Sequence, residues 1–199
     1  MTVAVWVLAA VLVVGVVTLV ALMAVGRLTL DLRWGRSLTP LGPISMHVAA
    51  PREMLFEQLA APYLGRTPRE LREHLEVLER GDDLVLALHR TPVGFYVAET
   101  VETVRFVRPE RIEFRHVRGP VPHAVESFEL REAHDGTTFD YRGELGLDLW
   151  FLGRLAARMS VRPVWEKRVR ESMEQAKDGA EARAAARARR GRREQPGTE

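Results

Sequence analysis

His116, Glu126 and Tyr141 are the side chains of this sequence best placed for acid–base or hydrogen-bonding work among apolar neighbours. In the run 111–117, alternation puts Ile112, Phe114 and His116 on one face and Arg111, Glu113 and Arg115 on the other. The charged set marks the solvent side, so His116 turns inward with the apolar pair. In 124–132, Phe128 and Leu130 face inward and bring Glu126 with them, although one bulge between 121 and 128 would reverse this. In 137–147, Phe139, Tyr141, Gly143, Leu145 and Leu147 lie inward, while Asp140, Arg142 and Glu144 lie outward. The faces of 93–101 are less distinct: Phe95, Val97 and Val101 oppose Gly94, Tyr96, Ala98 and Thr100. A carboxylate or imidazole enclosed by such walls has a displaced pKa and can act as an acid or a base. The candidate ligand wall is therefore Tyr96, Phe114, His116, Glu126, Phe128, Phe139 and Tyr141, and no residue is assigned a catalytic role. A plainer account of each polar group stands beside this one: Glu126 wet near a strand end, His116 paired near a rim, Tyr141 a core ring with its hydroxyl satisfied.

Other chemistries find little support. His47, His74, His89, His116, His123 and His134 are scattered, with no His-x-x-x-His pair and no cysteine in the chain. His89, His116 and His123 could approach one another across strands, but the spacing predicts no metal site. Gly143 and Gly146 lie in a strand and form no phosphate loop, no Gly-x-Ser-x-Gly elbow occurs, and Ser127 and Ser160 have no base at informative spacing. No cofactor is expected. The absence of cysteine excludes a disulfide framework and fits a reducing compartment.

The elements that position these residues follow from periodicity. Ile44–Val48 reads as a first strand. Pro51 opens a helix, PREMLFEQLAAPYLG, stopped by Pro62 and Gly65. Thr67-Pro68 starts another, with Leu71, Leu75 and Leu78 as its apolar face and Gly81 at its end. From Leu84 to Leu147 the period changes to two, giving five or six strands in a meander. Thr91-Pro92, Pro109-Glu110, 119–122 and the hairpin turn His134-Asp135-Gly136 separate them, and Glu99–Thr103 is a place for the long second run to bend or split. Helical spacing returns from Leu149 to about Lys177. Leu152, Leu155, Ala156 and Met159 form one apolar face, and Trp165, Val169, Met173 and Ala176 form the next. Pro163 between them requires a kink or a restart.

Both ends of the chain differ from this middle. Val3–Val25 is an uncharged apolar run without proline. As a helix it would reach about 34 Å, enough to cross the roughly 30 Å bilayer core. A cleaved signal peptide is the rival, but the run lacks a basic start and a convincing small-x-small site. Arg27, Arg33 and Arg36 follow the run and no Lys or Arg precedes it, so a single-pass anchor with the remainder in the cytoplasm is expected. Residues 28–43 read as a linker, in which Trp34 suits a membrane interface. Residues 179–199 hold Arg183, Arg187, Arg189, Arg190, Arg192 and Arg193, with no apolar side chain larger than alanine. They are expected to be a solvated, frayed or disordered basic tail. Contact with anionic lipid is a further reading of it, and nucleic acid ranks last because no aromatic residues interleave the arginines.

The order strand, two helices, antiparallel meander, long helix resembles the helix-grip fold of the START-like (SRPBCC) superfamily, which includes polyketide cyclase/dehydrase-like and lipid-transfer proteins. ISMHVAAPREMLFEQLAAP, FRHVRGPVPHAVESFELREAHDGTTFDYRGELGLD and VRPVWEKRVRESMEQAKD carry the resemblance over residues 44–178. The resemblance implies an α+β domain in which the antiparallel sheet wraps the long C-terminal helix, with an apolar cavity between them. The division expected is an anchor over 1–27, a linker over 28–43, a START-like domain over 44–178 and a basic tail over 179–199. The implied function is binding of a lipid or other hydrophobic small molecule by a membrane-tethered domain. A cyclase/dehydrase-type enzyme using His116, Tyr141 or Glu126 is the alternative, and a non-catalytic interaction domain with a filled cavity is the third.

Overall fold

The computed structural model describes residues 2–65 and 71–194. Helix α1, Thr2–Ala24, is apolar on every face, and its span Val3–Ala24 has the length and composition to cross a membrane. None of that stretch is buried against the rest of the chain; a signal sequence shares the same two properties.

Seven strands follow: β1 Ser37–Val48, β2 Leu75–Arg80, β3 Leu84–Val93, β4 Tyr96–Val107, β5 Arg111–Arg118, β6 His123–Ala133 and β7 Gly136–Leu147. They form one antiparallel sheet in the order β1-β7-β6-β5-β4-β3-β2, so the first strand closes on the last. Helix α2, Arg52–Leu64, sits between β1 and β2 in the chain. After β7 come α3, Trp150–Ala156, a π-helical segment, Ala157–Val161, and the long α4, Arg162–Glu194, with Pro163 in its first turn. The helical backbone is continuous from Trp150 through Glu194, so Pro163 removes a donor inside it, and the π-helical turn just before is where the irregularity is taken up. Val169, Met173, Ala176 and Ala180 place a buried stripe of α4 along the sheet. This is the helix-grip arrangement.

The core is densest where α2 closes one end. Phe56, Leu55, Phe139, Leu130 and Val48 are almost fully buried there. Burial of each such side chain contributes roughly 1.5–3 kcal/mol. Phe56 and Tyr63 of α2 both pack on Phe106, at centroid distances of 6.4 and 5.9 Å, and Phe128 packs on Phe139 at 5.1 Å.

Several local expectations give way to tertiary context. The strand expected from Ile44 begins at Ser37, despite Pro40 and Pro43. β1 is an edge strand, where a missing donor costs no ladder bond, and a register irregularity between Leu41 and Ile44 absorbs the second proline. The rest of the expected linker is tied down as well. Glu99 N–H donates to Val25 O at 2.9 Å, and the Thr29 hydroxyl donates to Gly119 O at 2.7 Å. Asp148 accepts from the Leu32 and Arg33 amides at 2.8 and 3.0 Å and from Arg36 Nε at 2.8 Å. Gly26 has φ +72°, and a Cβ there would lie 1.9 Å from Glu99 O. Residues 25–36 are thus a strap along the domain.

The helix expected from Thr67 is not found where it can be seen. Residues 66–70 lie outside the described residues, and Leu75–Arg80 is β2, paired with β3. Leu75 and Val77 satisfy alternation as well as Leu71, Leu75 and Leu78 satisfy helical spacing, and the free edge of β3 decides between them. The turn expected at Thr91-Pro92 falls instead at Gly94-Phe95, with β3 and β4 paired from Val93↔Tyr96 onward. β4 runs unbroken through Glu99–Thr103. Leu152, Leu155 and Met159, expected to face the core, are exposed, and it is Gly153 and Ala157 that turn inward. The expected frayed tail is helical through Glu194; residues 195–199 lie outside the described residues. Alanine and arginine only propagate a helix already nucleated. Ala180 and Ala184 pack on the domain, and Arg183 donates to Gln58 Oε1 at 3.1 Å.

Candidate functional site

A cavity of about 570 Å³ lies between the sheet and the start of α4. That volume falls within the common range for small-molecule sites. Phe114 and Phe128 form its floor from β5 and β6, Tyr96 and Ala98 one wall from β4, and Val161, Val164 and Val169 the opposite wall. Ala24, the last residue of α1, and Pro120 and Val121 of the β5–β6 loop also border it.

The walls also carry a cluster of polar side chains. The uninterrupted β6–β7 register, His123↔Gly146 through Ala133↔Gly136, leaves no bulge to turn Glu126 outward. Its Oε2 accepts from the Tyr141 hydroxyl at 2.7 Å and from Trp165 Nε1–H at 2.9 Å. On the next strands, His116 Nε2 lies 3.6 Å from Glu102 Oε1, and the Thr100 hydroxyl donates to the same Glu102 oxygen at 3.0 Å. The His116 side chain is 2 % exposed, yet neither ring nitrogen has a hydrogen-bond partner. Its ring packs beside Trp165 at 5.2 Å. Tyr63 of α2 faces His89 of β3 across 3.5 Å at the far side of the cavity.

These groups set one another's protonation. Burial and the neighbouring Glu102 charge push Glu126 up to about 7, against the hydrogen bonds from Trp165 and Tyr141. For Glu102, burial works against the charge, but His89, His116 and Thr100 outweigh it and hold its carboxyl below the ordinary range. For His116, burial again opposes the charge, and Glu102 more than restores it, so the imidazole titrates above its usual value. Burial, with the carboxylates adding to it, raises the Tyr63 and Tyr141 hydroxyls far enough to keep them protonated. The cavity therefore presents a Glu102 carboxylate that favours a proton on the neighbouring His116, and a Glu126 that exchanges its proton near neutrality. Among the described residues no group of three or more His, Cys, Asp and Glu is set to hold a metal ion.

Of the seven candidates from sequence, Tyr96, Phe114, His116, Glu126 and Phe128 border the cavity. Tyr141 is fully buried behind Glu126 and fixes its carboxylate. Phe139 is fully buried beyond Phe128 and belongs to the core. Sequence reasoning missed Glu102 and Tyr63, and it named His89 only as a possible neighbour of His116 and Trp165 only as part of the apolar face of the long helix. The signal for Glu102 was present: Tyr96, Ala98, Thr100, Glu102, Val104 and Phe106 alternate along β4, and all but the rim residues Tyr96 and Thr100 are buried. The meeting of Tyr63 and His89 carried none, since it depends on how α2 lies against the sheet.

No model of a protein family matches the sequence, and no curated protein matches it. Solved structures do match. The di-domain ARO/CYC StfQ of the steffimycin biosynthetic pathway superposes with a TM-score of 0.59 at 17% identity, over 76% of this chain and 52% of that one. The chain thus spans about half the length of that di-domain protein. A protein from Thermus thermophilus gives 0.53 at 18% identity, over 74% of this chain and 98% of its own. Norcoclaurine synthase from Thalictrum flavum gives 0.52 at 15% identity, over 71% and 90%. At these identities the shared property is the fold alone, the helix-grip arrangement of sheet and long helix.

Proposed function

We propose that this helix-grip protein is a single-pass, membrane-tethered binding domain. It holds a lipid or other hydrophobic small molecule between the sheet and α4, with the ligand's polar group against His116 and Glu126. The reading is carried by one observation: a cavity of about 570 Å³ with aromatic and aliphatic walls ends on a buried imidazole that makes no hydrogen bond, its charged neighbour Glu102 standing 3.6 Å away. Leaving a ring N–H without a hydrogen bond in a low-dielectric site is unfavourable even beside a carboxylate, and a ligand hydroxyl, carbonyl or carboxylate would supply one. The apolar α1 and the arginines after it favour an anchor with the domain on the cytoplasmic side.

The test is extraction and mass analysis of full-length protein taken from its own host into lipid nanodiscs, compared with an Ala98→Trp variant that fills the cavity. A molecule of several hundred daltons retained by the parent and lost from the variant is the expected result. Equal content in the two would overturn the reading. An intact mass that begins after residue 24 would remove the anchor.

A second reading, a cyclase/dehydrase-type enzyme, is favoured by Glu126, which can give or take a proton near pH 7 inside an apolar cavity. Glu126→Gln keeps the shape and removes the proton. If turnover of a polyketide-like substrate is found and survives that change, this version is excluded. The interaction-domain reading called for a cavity filled by its own side chains, and the open volume does not favour it.

A further inference from the structure

The apolar residues of this protein are exposed mainly at one end. β1 starts there, β7 ends there, and the β3–β4 hairpin and the β5–β6 loop turn there. Phe95 at the hairpin tip is 100 % exposed. Phe151, Leu155 and Met159 of the α3 and π-helical segment are 65, 52 and 71 % exposed. A soluble domain rarely leaves so many large apolar groups on one surface without a partner.

Two observations say what covers them. The first is continuity with α1. The strap residues Val25 and Thr29 are hydrogen-bonded to Glu99 and Gly119 at this same end, and Ala24 borders the cavity. The end of the apolar span is therefore fixed beside the cavity mouth and is not joined to it by a loose tether. The second is charge. Arg118, Arg154 and Arg158 are exposed around the apolar surface, and the exposed Arg27 and Arg33 stand there beside Glu99 and Asp31, an arrangement that lets apolar groups enter acyl chains while guanidinium groups reach anionic headgroups. Trp34 and Trp150 pack edge to face at 4.6 Å at this same end, and indoles favour a membrane interface.

We infer that this end of the domain is seated in the bilayer that α1 crosses. Phe95 on one side of the mouth and Phe151, Leu155 and Met159 on the other enter the lipid, so the cavity opens into the acyl region. A hydrophobic ligand then passes between membrane and cavity without crossing water. The inference rests on the reading of α1 as a membrane anchor.

The chain has no cysteine, so single-cysteine labels are free of background. Full-length protein carrying Phe95→Cys, Phe151→Cys or Met159→Cys would be nitroxide-labelled and placed in nanodiscs of phosphatidylcholine and phosphatidylglycerol. Val13→Cys marks the bilayer centre, and Asp135→Cys marks water at the opposite end of the sheet. Each label is read by collision with oxygen, which concentrates in lipid, and with a nickel chelate, which stays in water. The expected result is that the three test labels follow Val13, with a ratio of oxygen to nickel access several-fold above that at Asp135. Phe151→Glu with Met159→Glu should then move the Phe95 label toward nickel. Test labels that follow Asp135 while Val13 stays in lipid overturn the seating and leave the anchor standing. Labels closed to both reagents mean that protein covers the surface, which also overturns it. Nickel access at Val13 removes the anchor and the seating together.

Discussion

The two ends of the sheet invert each other's burial pattern. At the end closed by α2, Phe56, Phe139, Leu130 and Val48 are buried and the charged groups are outside: Arg105 pairs with Asp83, and Arg111 with Glu113. At the other end Phe95, Phe151 and Met159 are exposed, while Glu102, His116 and Asp148 are buried. The closed end is largely complete by itself: its aromatic side chains Phe56, Phe106 and Phe139 are buried within the chain, and Leu78 and Leu84 are the exposed exceptions among the described residues. In the proposed function the open end is completed by a ligand at the polar cluster, and in the inferred seating by an apolar medium around it. Stability and function are thus assigned to opposite ends of one hydrogen-bonded sheet.

Truncation should separate the ends most clearly. Phe56→Ala or Phe139→Ala should destabilise by about 3–5 kcal/mol, seen as a large fall in the denaturant midpoint. Phe151→Ala should leave the midpoint of detergent-solubilised protein nearly unchanged. Comparable losses at the two ends would break the comparison.

The strap comes next. Asp148 accepts from two amides and Arg36, and although burial opposes its charge these partners hold its carboxyl below the ordinary range. Asp148→Ala should cost about 2–4 kcal/mol through unpaired buried donors and should speed hydrogen exchange at Leu32 and Arg33. Because its folded pKa is depressed, the contribution is present above the unfolded value near 3.8 and lost as pH falls through the folded one. Protection at those two amides that survives the substitution would show that residues 25–36 are held by something else.

Glu126 gives a smaller effect of opposite sign. Its pKa rises on folding from 4.5 to about 7. The unfolded chain therefore loses this proton first, and the folded state loses relative stability as pH rises from about 4.5 through 7. The difference in midpoint between the parent and Glu126→Gln should grow over that window by about 1–3 kcal/mol and level off above it. A flat difference would place Glu126 outside the buried cluster.

The smallest effect is expected at the end of α4. Arg189→Glu with Arg190→Glu, beyond the last packed residue Ala184, should change stability by less than about 0.5 kcal/mol. α4 begins at the cavity and runs toward the closed end, where Glu181 accepts from the Ala49 amide at 2.9 Å. In the seated orientation Arg183–Arg192 would stand roughly 30–45 Å from the start of α4 along the helix axis. The double substitution should accordingly leave nanodisc binding unchanged.

Much of this was legible in local pattern. The inward faces of β5 and β7 follow from alternation of charged and apolar residues, which places His116, whereas Glu126 depended on β6 carrying no bulge, a fact of the β6–β7 register. The stripe Trp165, Val169, Met173 and Ala176 was equally clear. Where two periods fit the same residues, as over Leu71–Leu78, pattern could not choose, and the open edge of β3 did. Pro40 and Pro43 read as linker punctuation because proline's cost depends on whether a strand is at the edge, which is a property of the sheet.

The sequence by itself determined the apolar span, the meander, the long helix and the inward direction of Phe114, His116 and Tyr141, since each rests on neighbours within a few residues. Tertiary structure alone decided that Leu152, Leu155 and Met159 face outward, that residues 25–36 bind back onto Glu99, Gly119 and Asp148, and that Glu102, His89, Tyr63 and Trp165 meet around His116 and Glu126. Those facts join residues up to 116 positions apart, as Leu32 and Asp148 are. Periodicity reports which face of an element is apolar. It does not report whether that face meets the protein's own core or a different apolar medium, because burial in either gives the same pattern of side chains.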